Sequence, residues 1–145
     1  MPYPFSQKHR FFKYRLFLAI AIFIIVPLGY VIRFTPIPGW EWLNDVLGGV
    51  AYEIFWILLV MFGFPRWSPL WVAVGVCLVT CGLEFLQLWK PPFLEAIRST
   101  LWGRLVLGNT FTWTDFINYF IGCFLGWWVV RWFSRFQSSQ LTRSR

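Results

Sequence analysis

The sequence predicts an all-α membrane protein: a bundle of four transmembrane helices with an amphipathic or re-entrant segment between the third and fourth. Of its 145 residues, 58% are hydrophobic and 13% are charged. Soluble proteins usually contain roughly 25% charged residues. The apolar residues fall into four runs, each close to the roughly 20 residues that a helix needs to cross a bilayer. We therefore expect lipid to surround most of the chain.

Prolines and charged residues bound the four apolar runs. The first run follows Lys13 and Arg15, the second stops at Pro65, and the third begins at Pro69, where a helix tolerates proline. The start of the chain resembles a signal peptide but lacks a small-residue cleavage site, so we expect an uncleaved span. The prediction is one transmembrane domain over residues 1–145, with spans at 16–32, 45–64, 69–88 and 114–133, and tails at 1–15 and 134–145, the second tail being polar and loose.

The connection between the third and fourth spans, residues 89–113, is long for so small a protein. Its apolar residues Leu94, Ile97, Leu101 and Leu105 recur at helical spacing. Glu95, Arg98 and Ser99 fall on the opposite face. This pattern predicts a helix lying in the membrane interface, or a re-entrant piece, with the apolar side turned to the bundle.

Lysine and arginine placement predicts the orientation, because cytoplasmic loops are enriched in these residues. One side of the predicted bundle has nine of the 13 cations: Lys8, Arg10, Lys13, Arg15, Arg66, Arg131, Arg135, Arg143 and Arg145. The other side has Arg33, Lys90, Arg98 and Arg104. The sequence therefore predicts an inner membrane protein, in a cytoplasmic or thylakoid-type membrane, with both termini in the cytoplasm.

The charge and the aromatic content limit the partners. The net charge is +7, but the cations lie beside apolar runs, which favours anionic lipid headgroups and argues against nucleic acid. Aromatic residues make up 23% of the chain, more than an interfacial belt requires. Either rings fill the bundle, or its outer face contacts lipid, pigment, quinone or another membrane-protein subunit.

Few residues suited to ordinary catalysis are present. His9 is the only histidine, and no Cys-x-x-Cys motif or glycine-rich phosphate loop occurs. The three cysteines, Cys77, Cys81 and Cys123, fall inside apolar runs and are typical of packing thiols. The sequence argues against ordinary hydrolase, kinase, redox and metal-dependent mechanisms, and it favours a non-enzymatic role.

Polar residues form a stripe on each of three predicted spans. The second span has Asp45, Gly48, Gly49, Tyr52 and Trp56, with Glu53 to the side; the third has Cys77, Thr80, Cys81, Glu84 and Gln87; the fourth has Asp115, Asn118, Gly122 and Gly126. An ionisable group at this depth costs about 2.5–3.5 kcal/mol and normally faces the bundle interior. The glycines at Gly122-x-x-x-Gly126 permit close helix approach.

Two interpretations of these stripes remain open. The polar groups are either interhelical hydrogen bonds that hold the bundle together, with Asp115 capping the fourth helix, or they line an outward-opening pocket. In such a pocket Glu84 and Asp115 would meet Arg98 or Arg104 and hold a headgroup, a phosphate or a proton.

A family resemblance rests on motifs from the third span onward. These are Glu84-x-x-Gln87-Leu88, Ala96-Ile97-Arg98-Ser99-Thr100, Leu107-Gly108 and Phe111-x-Trp113-x-Asp115, with Gly122 beyond. Over roughly residues 32–132 the chain resembles the DUF2809 family, small bacterial membrane proteins of unknown function. The Glu-x-x-Gln and Asp-x-x-Asn pairs are also distantly similar to VanZ-like proteins, which implies a role at the cell envelope.

The resemblance implies that seven positions have functional or structural importance: Glu84, Gln87, Arg98, Thr100, Gly108, Asp115 and Gly122. The second span departs from the family pattern, since Gly48-Gly49 stands where a Gly-Asp pair is expected. Asp45 or Glu53, about one turn away on either side, is a candidate to replace that carboxylate.

Two functions follow as predictions. The first is an accessory or scaffold subunit of a membrane complex, such as a respiratory or photosynthetic one, because the aromatic content is high. The second is an envelope protein that binds a lipid or lipid-linked headgroup in the outward-facing polar pocket. The polar cluster common to both comprises Asp45, Glu53, Glu84, Gln87, Arg98, Thr100, Arg104, Asp115 and Asn118, with Gly122 and Gly126 for helix packing.

Overall fold

Six helices follow one another along the chain in the computed structural model, which describes residues 4–35, 38–108 and 110–142. They are α1 (Pro4–Phe34), α2 (Glu41–Gly63), α3 (Pro69–Leu86), α4 (Pro92–Arg98), α5 (Leu101–Leu107) and α6 (Trp113–Thr142). The described part of the chain contains no strand. Arg143 and Arg145 lie outside the described residues, and the side chains of Lys8, His9, Arg10 and Arg33 lie outside them as well.

Four of the helices are long and apolar enough to cross a bilayer. These candidate spans are Phe11–Ile32, Glu41–Gly63, Pro69–Leu86 and Trp113–Arg135. The predicted all-α bundle of four transmembrane helices is confirmed, and the chain is a multi-pass membrane protein. The re-entrant alternative for the connecting segment stays a prediction.

The ends of several helices have a local cause in the sequence. Pro69 and Pro92 occupy the first turns of α3 and α4, where the missing amide hydrogen costs nothing. Thr100 caps α5, accepting a hydrogen bond from the Gly103 amide at 3.0 Å. Gly108 ends α5 with a positive φ of 66°, a conformation that favours glycine.

Two features of the tails and the connecting segment were predicted wrongly. The segment 134–145 was expected to be loose, but α6 continues through Thr142, and α1 begins well within the predicted tail at Pro4. A helix that leaves the apolar region can continue through polar residues, and α6 does so. The single amphipathic helix is two helices, which separate at Ser99 and Thr100.

The exposed face of α4 and α5 also differs in part from the prediction. Glu95 and Ser99 are exposed, as predicted, but several other positions are reversed. Leu94 and Arg98 are buried, whereas Ile97, Leu101 and Leu105 are about half exposed. Water is not the only solvent at this depth, so apolar side chains gain from facing lipid, while a cation gains from facing polar groups of the bundle.

Helix α2 occupies the centre of the bundle. It packs against α1, α3 and α6, and α3 also packs against α6. The core contains Leu18 of α1, Ile57, Leu58 and Met61 of α2, Val72, Ala73 and Cys77 of α3, and Cys123 and Val130 of α6. The faces turned away from this core are apolar, with Phe23 and Trp71 82% and 73% exposed, as expected for a surface that contacts lipid.

The bundle has two chemically different ends. The basic end contains Arg15 near the start of α1, Arg66 between α2 and α3, and Arg131 in the second half of α6. The capped end contains α4 and α5, which contact each other and the last part of α3. Glu84 lies near the capped end, and Glu53 lies near the middle of α2.

Candidate functional site

Glu84 is the centre of the polar cluster at the capped end. The side chain is 0% exposed. Its Oε2 accepts hydrogen bonds from Gln87 Nε2 at 2.9 Å and from the Tyr119 hydroxyl at 3.0 Å, and its Oε1 accepts one from the Thr112 amide at 2.8 Å. The carboxyl group therefore joins α3, the segment before α6, and α6 itself through three donors.

Gln87 is held in place by a close glycine contact. A Cβ atom on Gly108 would overlap the Gln87 amide group, so only glycine allows this approach. Gly108 also needs its positive φ to turn the chain from α5 toward α6. The turn at Gly108 thus supports the hydrogen bond between Gln87 and Glu84.

Arg98 does not form the expected ion pair with Glu84. Its guanidinium instead donates to the carbonyl oxygens of Leu86 at 2.9 Å and Trp89 at 3.1 Å, just where α3 ends. The last carbonyl groups of a helix have no partner within the helix, and lipid supplies none. A cation at a helix C-terminus is also favoured by the helix dipole. Arg98 therefore caps α3 and is not the partner of Glu84 among the described residues; Arg104, the alternative partner, is exposed on α5.

Glu53 is the second buried carboxyl group, and it lies near the middle of α2. It is 0% exposed, although the sequence placed it to the side of the polar stripe. Its Oε2 accepts a hydrogen bond from the Cys123 thiol at 3.1 Å, and the Thr80 hydroxyl lies beside the same carboxyl group. Its Oε1 is buried without a partner among the described residues.

Small residues allow α2 and α6 to approach closely around Glu53. A Cβ atom on Gly122 would lie 2.6 Å from the Glu53 Cβ and 3.0 Å from the Val50 carbonyl oxygen. One on Gly126 would lie 2.7 Å from Ile57 Cδ1, and one on Gly49 would lie 3.0 Å from the Asn118 Cβ. The distance at Gly122 is too short for a side chain, so this glycine sets the separation of the two helices. At Gly49 and Gly126 a side chain would require its neighbour to shift.

The remaining predicted residues lie around this framework. Asn118 is buried and donates to Asp115 Oδ1 at 3.5 Å, in the first turns of α6. Asp45 lies in the second turn of α2 and is exposed, as is Arg104 on α5. Tyr52 donates to the Val106 carbonyl at 3.1 Å and so connects α2 to α5.

The structure brings together Glu84, Gln87 and the loop before α6, but it does not open them to solvent. The three donors to Glu84 all belong to the fold itself, and Arg98 is 5% exposed. The cluster therefore fits the interpretation as interhelical hydrogen bonds better than the outward-opening polar pocket that the sequence also left open. Its geometry is that of a buried hydrogen-bond network that fixes the capped end.

A large groove lies elsewhere, on the side of the bundle between α2 and α3. Its volume is about 660 Å³. Seven α3 residues line it at helical spacing, together with three from α2, two from the α2–α3 loop and one from α5: Trp71, Val72, Gly75, Val76, Val79, Thr80, Leu83, Tyr52, Trp56, Val60, Trp67, Ser68 and Val106. The wall is almost wholly apolar and aromatic, and the hydrogen bond from Tyr52 to Val106 closes it at the capped end.

Within the described residues, no group of three or more His, Cys, Asp and Glu side chains is placed to hold a metal ion. The three cysteines are free, and Cys77 and Cys123 are buried.

Residues 39–123 match the model of a family described as a protein of unknown function, DUF2809. The chain belongs to the DUF2809 family. No curated protein and no solved structure matches it. The distant similarity to VanZ-like proteins and the bacterial origin stay predictions.

Most positions that the resemblance singled out have a visible role in this DUF2809 protein. Glu84 and Gln87 form the network, Arg98 caps α3, Thr100 caps α5, Gly108 makes the turn, and Gly122 sets the α2–α6 contact. Glu53, and not Asp45, is the α2 carboxyl group that is buried beside α6. The departure at Gly48-Gly49 is thus accompanied by a carboxyl group one turn later.

Sequence reasoning missed three participants in this DUF2809 site. Tyr119 was overlooked, although Asp115, Tyr119, Gly122 and Gly126 have the spacing of one helix face. Thr112 acts through its main-chain amide, for which the sequence has no signal. Cys123 was interpreted as a packing thiol, but it donates to Glu53.

Proposed function

We propose that this DUF2809 protein is a non-enzymatic membrane protein that binds a lipid or lipid-linked amphiphile, whose hydrocarbon chain lies in the groove between α2 and α3. The observation that supports the proposal is the groove itself. Its volume of about 660 Å³ is in the range of roughly 300–1,000 Å³ that is typical of small-molecule sites. An apolar wall with few polar groups is also typical of such sites.

The length of the groove suits a lipid chain. Its α3 wall extends from Trp71 to Leu83, which is about 18 Å at 1.5 Å per residue. The hydrocarbon core of a bilayer is about 30 Å thick, so one leaflet contributes about 15 Å. An extended chain from one leaflet therefore fits within the groove without leaving the hydrocarbon region.

The shape and the aromatic residues of the groove favour retention of one lipid chain over the transient contact that any membrane helix makes with lipid. Trp56, Trp67 and Trp71 border the groove, and aromatic side chains bury a large area at small entropic cost. Gly75 leaves open space in the wall, with no atom within 4 Å of where its Cβ would be. A chain seated beside Gly75 can therefore approach the α3 backbone.

The buried carboxyl groups support the fold of this site. Thr80 lines the groove and also lies beside Glu53, so the Glu53 network fixes the floor of the groove. Glu84 fixes the end of α3 and thereby the position of α5, which contributes Val106.

The experiment is to fill the groove without disturbing the bundle. Gly75→Leu places a side chain in the groove, and Gly82→Leu is the matched control, because Gly82 is on the same helix, has equally open surroundings and does not line the groove. Native mass spectrometry after mild detergent extraction should show bound lipid in the wild type and in Gly82→Leu, and a clear loss in Gly75→Leu. Equal lipid retention in both variants would exclude the groove.

A second candidate function is an accessory or scaffold subunit, and the exposure of α1 favours it. Only 6% of its apolar span is buried, compared with about 30% in the other three spans. Such a face suits a second membrane protein as well as lipid. Native mass after gentle extraction separates the two roles, since a subunit migrates with a large complex and a lipid-binding protein migrates alone with its lipid.

The proposed location is an inner membrane, of cytoplasmic or thylakoid type, with the basic end in the cytoplasm. Arg15, Arg66 and Arg131 at that end support this orientation.

A further inference from the structure

A second cavity lies at the basic end, next to the end of the groove. Its volume is about 440 Å³, and it is lined by Phe11 and Arg15 of α1, Gly63 at the end of α2, and the loop residues Phe64, Pro65, Arg66 and Trp67. Trp67 lines both this cavity and the α2–α3 groove. The two cavities therefore adjoin at Trp67.

Two arginines lie in this cavity without a carboxylate among its lining residues. The Arg15 guanidinium lies over the Phe62 ring at 5.5 Å, and the Arg66 guanidinium lies over the Phe11 ring at 5.8 Å. All six acidic residues of the chain belong to other regions: Glu41, Asp45, Glu53, Glu84, Glu95 and Asp115. Aromatic faces orient the two cations but leave their hydrogen-bond donors available to an anion.

The geometry points to a headgroup site: the cavity at the basic end binds the phosphate of an anionic phospholipid between Arg15 and Arg66, while an acyl chain of the same lipid lies in the α2–α3 groove. This inference rests on the proposed function of the groove and specifies its ligand. Arginine suits a phosphate because its planar donors bind two oxygens at once. A free phosphate would bind in the cavity and make no contact with the apolar groove. Because the groove adjoins the cavity, a lipid is favoured over a free phosphate.

The experiment uses the full chain in mild detergent, with phosphatidylglycerol and phosphatidylcholine as probes in native mass spectrometry. The test variant is Arg15→Gln with Arg66→Gln. The control is Arg131→Gln, which removes a cation from the same end that also lies over a ring, Trp127, at 5.3 Å. We expect the double variant to lose roughly tenfold or more in phosphatidylglycerol binding. Phosphatidylcholine has the same phosphate, but its choline cation is repelled by the arginines, so we expect the wild type to bind it less tightly and the double variant to lose less of this binding. Phosphatidylglycerol binding by the control should change little.

The outcomes separate this inference from the proposed function. If Gly75→Leu lowers the binding of both lipids but the arginine double variant binds phosphatidylglycerol as the wild type does, the groove stands and the headgroup site is wrong. If Arg131→Gln loses as much phosphatidylglycerol binding as the double variant, general surface charge explains the preference for the anionic lipid. The headgroup site is then overturned. If inorganic phosphate binds to the arginines equally in wild type and Gly75→Leu and leaves the bound lipid in place, a free anion is the ligand and the lipid headgroup assignment is overturned.

Discussion

Glu53 and Glu84 are equally buried, but the fold surrounds them with different numbers of donors. Glu84 accepts three hydrogen bonds, from Gln87, Thr112 and Tyr119, through both of its oxygens. Glu53 accepts one, from the weakly donating Cys123 thiol, and its second oxygen has no partner among the described residues. The two glutamates have similar apolar neighbours in the sequence, but their hydrogen bonding in the fold differs.

This difference predicts unequal effects of removing each carboxyl group. Glu84→Gln puts an amide NH₂ group against at least one existing donor, which should cost about 1–3 kcal/mol of stability. Glu53→Gln keeps an acceptor for the Cys123 thiol, and its NH₂ group replaces an oxygen that has no donor, so the loss should be much smaller. Thermal unfolding of both variants in one detergent measures this. Equal losses would mean that the donors around Glu84 contribute nothing.

A second prediction at this scale concerns Gly108, where two constraints coincide. Gly108→Ala introduces a Cβ that overlaps Gln87 at a positive φ, and we expect a loss of about 1–3 kcal/mol. Gly39→Ala is the control, because its φ is also positive, 84°, but its surroundings are open. The excess loss at Gly108, measured by thermal unfolding, reports the contact with Gln87. Identical losses would show that only the backbone conformation matters.

Among the elements, the four long helices were predictable and the α4–α5 segment was not. A long apolar run has one stable form in lipid, a helix with all its backbone hydrogen bonds made internally. Hydropathy alone therefore identified α1, α2, α3 and α6. Helical spacing within 94–105 correctly indicated helical structure, but the preferred face depended on the unpaired carbonyls at the end of α3, which Arg98 satisfies. The periodicity contains no information about that partner.

The contact between α2 and α6 gives a prediction for helix packing. Gly122→Ala places a Cβ 2.6 Å from the Glu53 Cβ and must push the helices apart, which we expect to cost about 1–3 kcal/mol. Gly82→Ala is the control, because its surroundings are open and alanine is the better helix former. Thermal unfolding should show a clear loss for Gly122→Ala and no loss for Gly82→Ala. A stable Gly122→Ala would contradict the close approach.

For the whole molecule, the groove between α2 and α3 is the feature that the sequence concealed most completely. The residues that line the groove are of types found in any membrane helix. A void between two helices depends on how the helices diverge and not on residue type, so the sequence does not reveal it. The polar stripes are visible in the sequence, which leaves open whether they hold the helices together or line a pocket at the capped end. In the folded chain those stripes hold helices together, and the open volume lies on an apolar face instead.

The orientation of the whole molecule is predicted from the basic end. Because nine of 13 lysines and arginines fall on one side of the predicted spans, reporter fusions at Pro65 and at the C-terminus should be cytoplasmic, and a fusion at Gly103 should be extracytoplasmic. Paired cytoplasmic and extracytoplasmic reporters at each position serve as internal controls. A cytoplasmic signal at Gly103 would contradict the four-span arrangement.

The central claim, that the α2–α3 groove retains a particular lipid, is tested most directly by photocrosslinking from inside it. Val79 lines the groove, and its neighbour Leu78 does not, although the two are 63% and 69% exposed. A benzophenone amino acid placed at either position in living membranes should form lipid adducts, which mass spectrometry then identifies. We predict that adducts at Val79 are dominated by one lipid class, whereas those at Leu78 follow the composition of the membrane. The same mixture of adducts at both positions would contradict the claim.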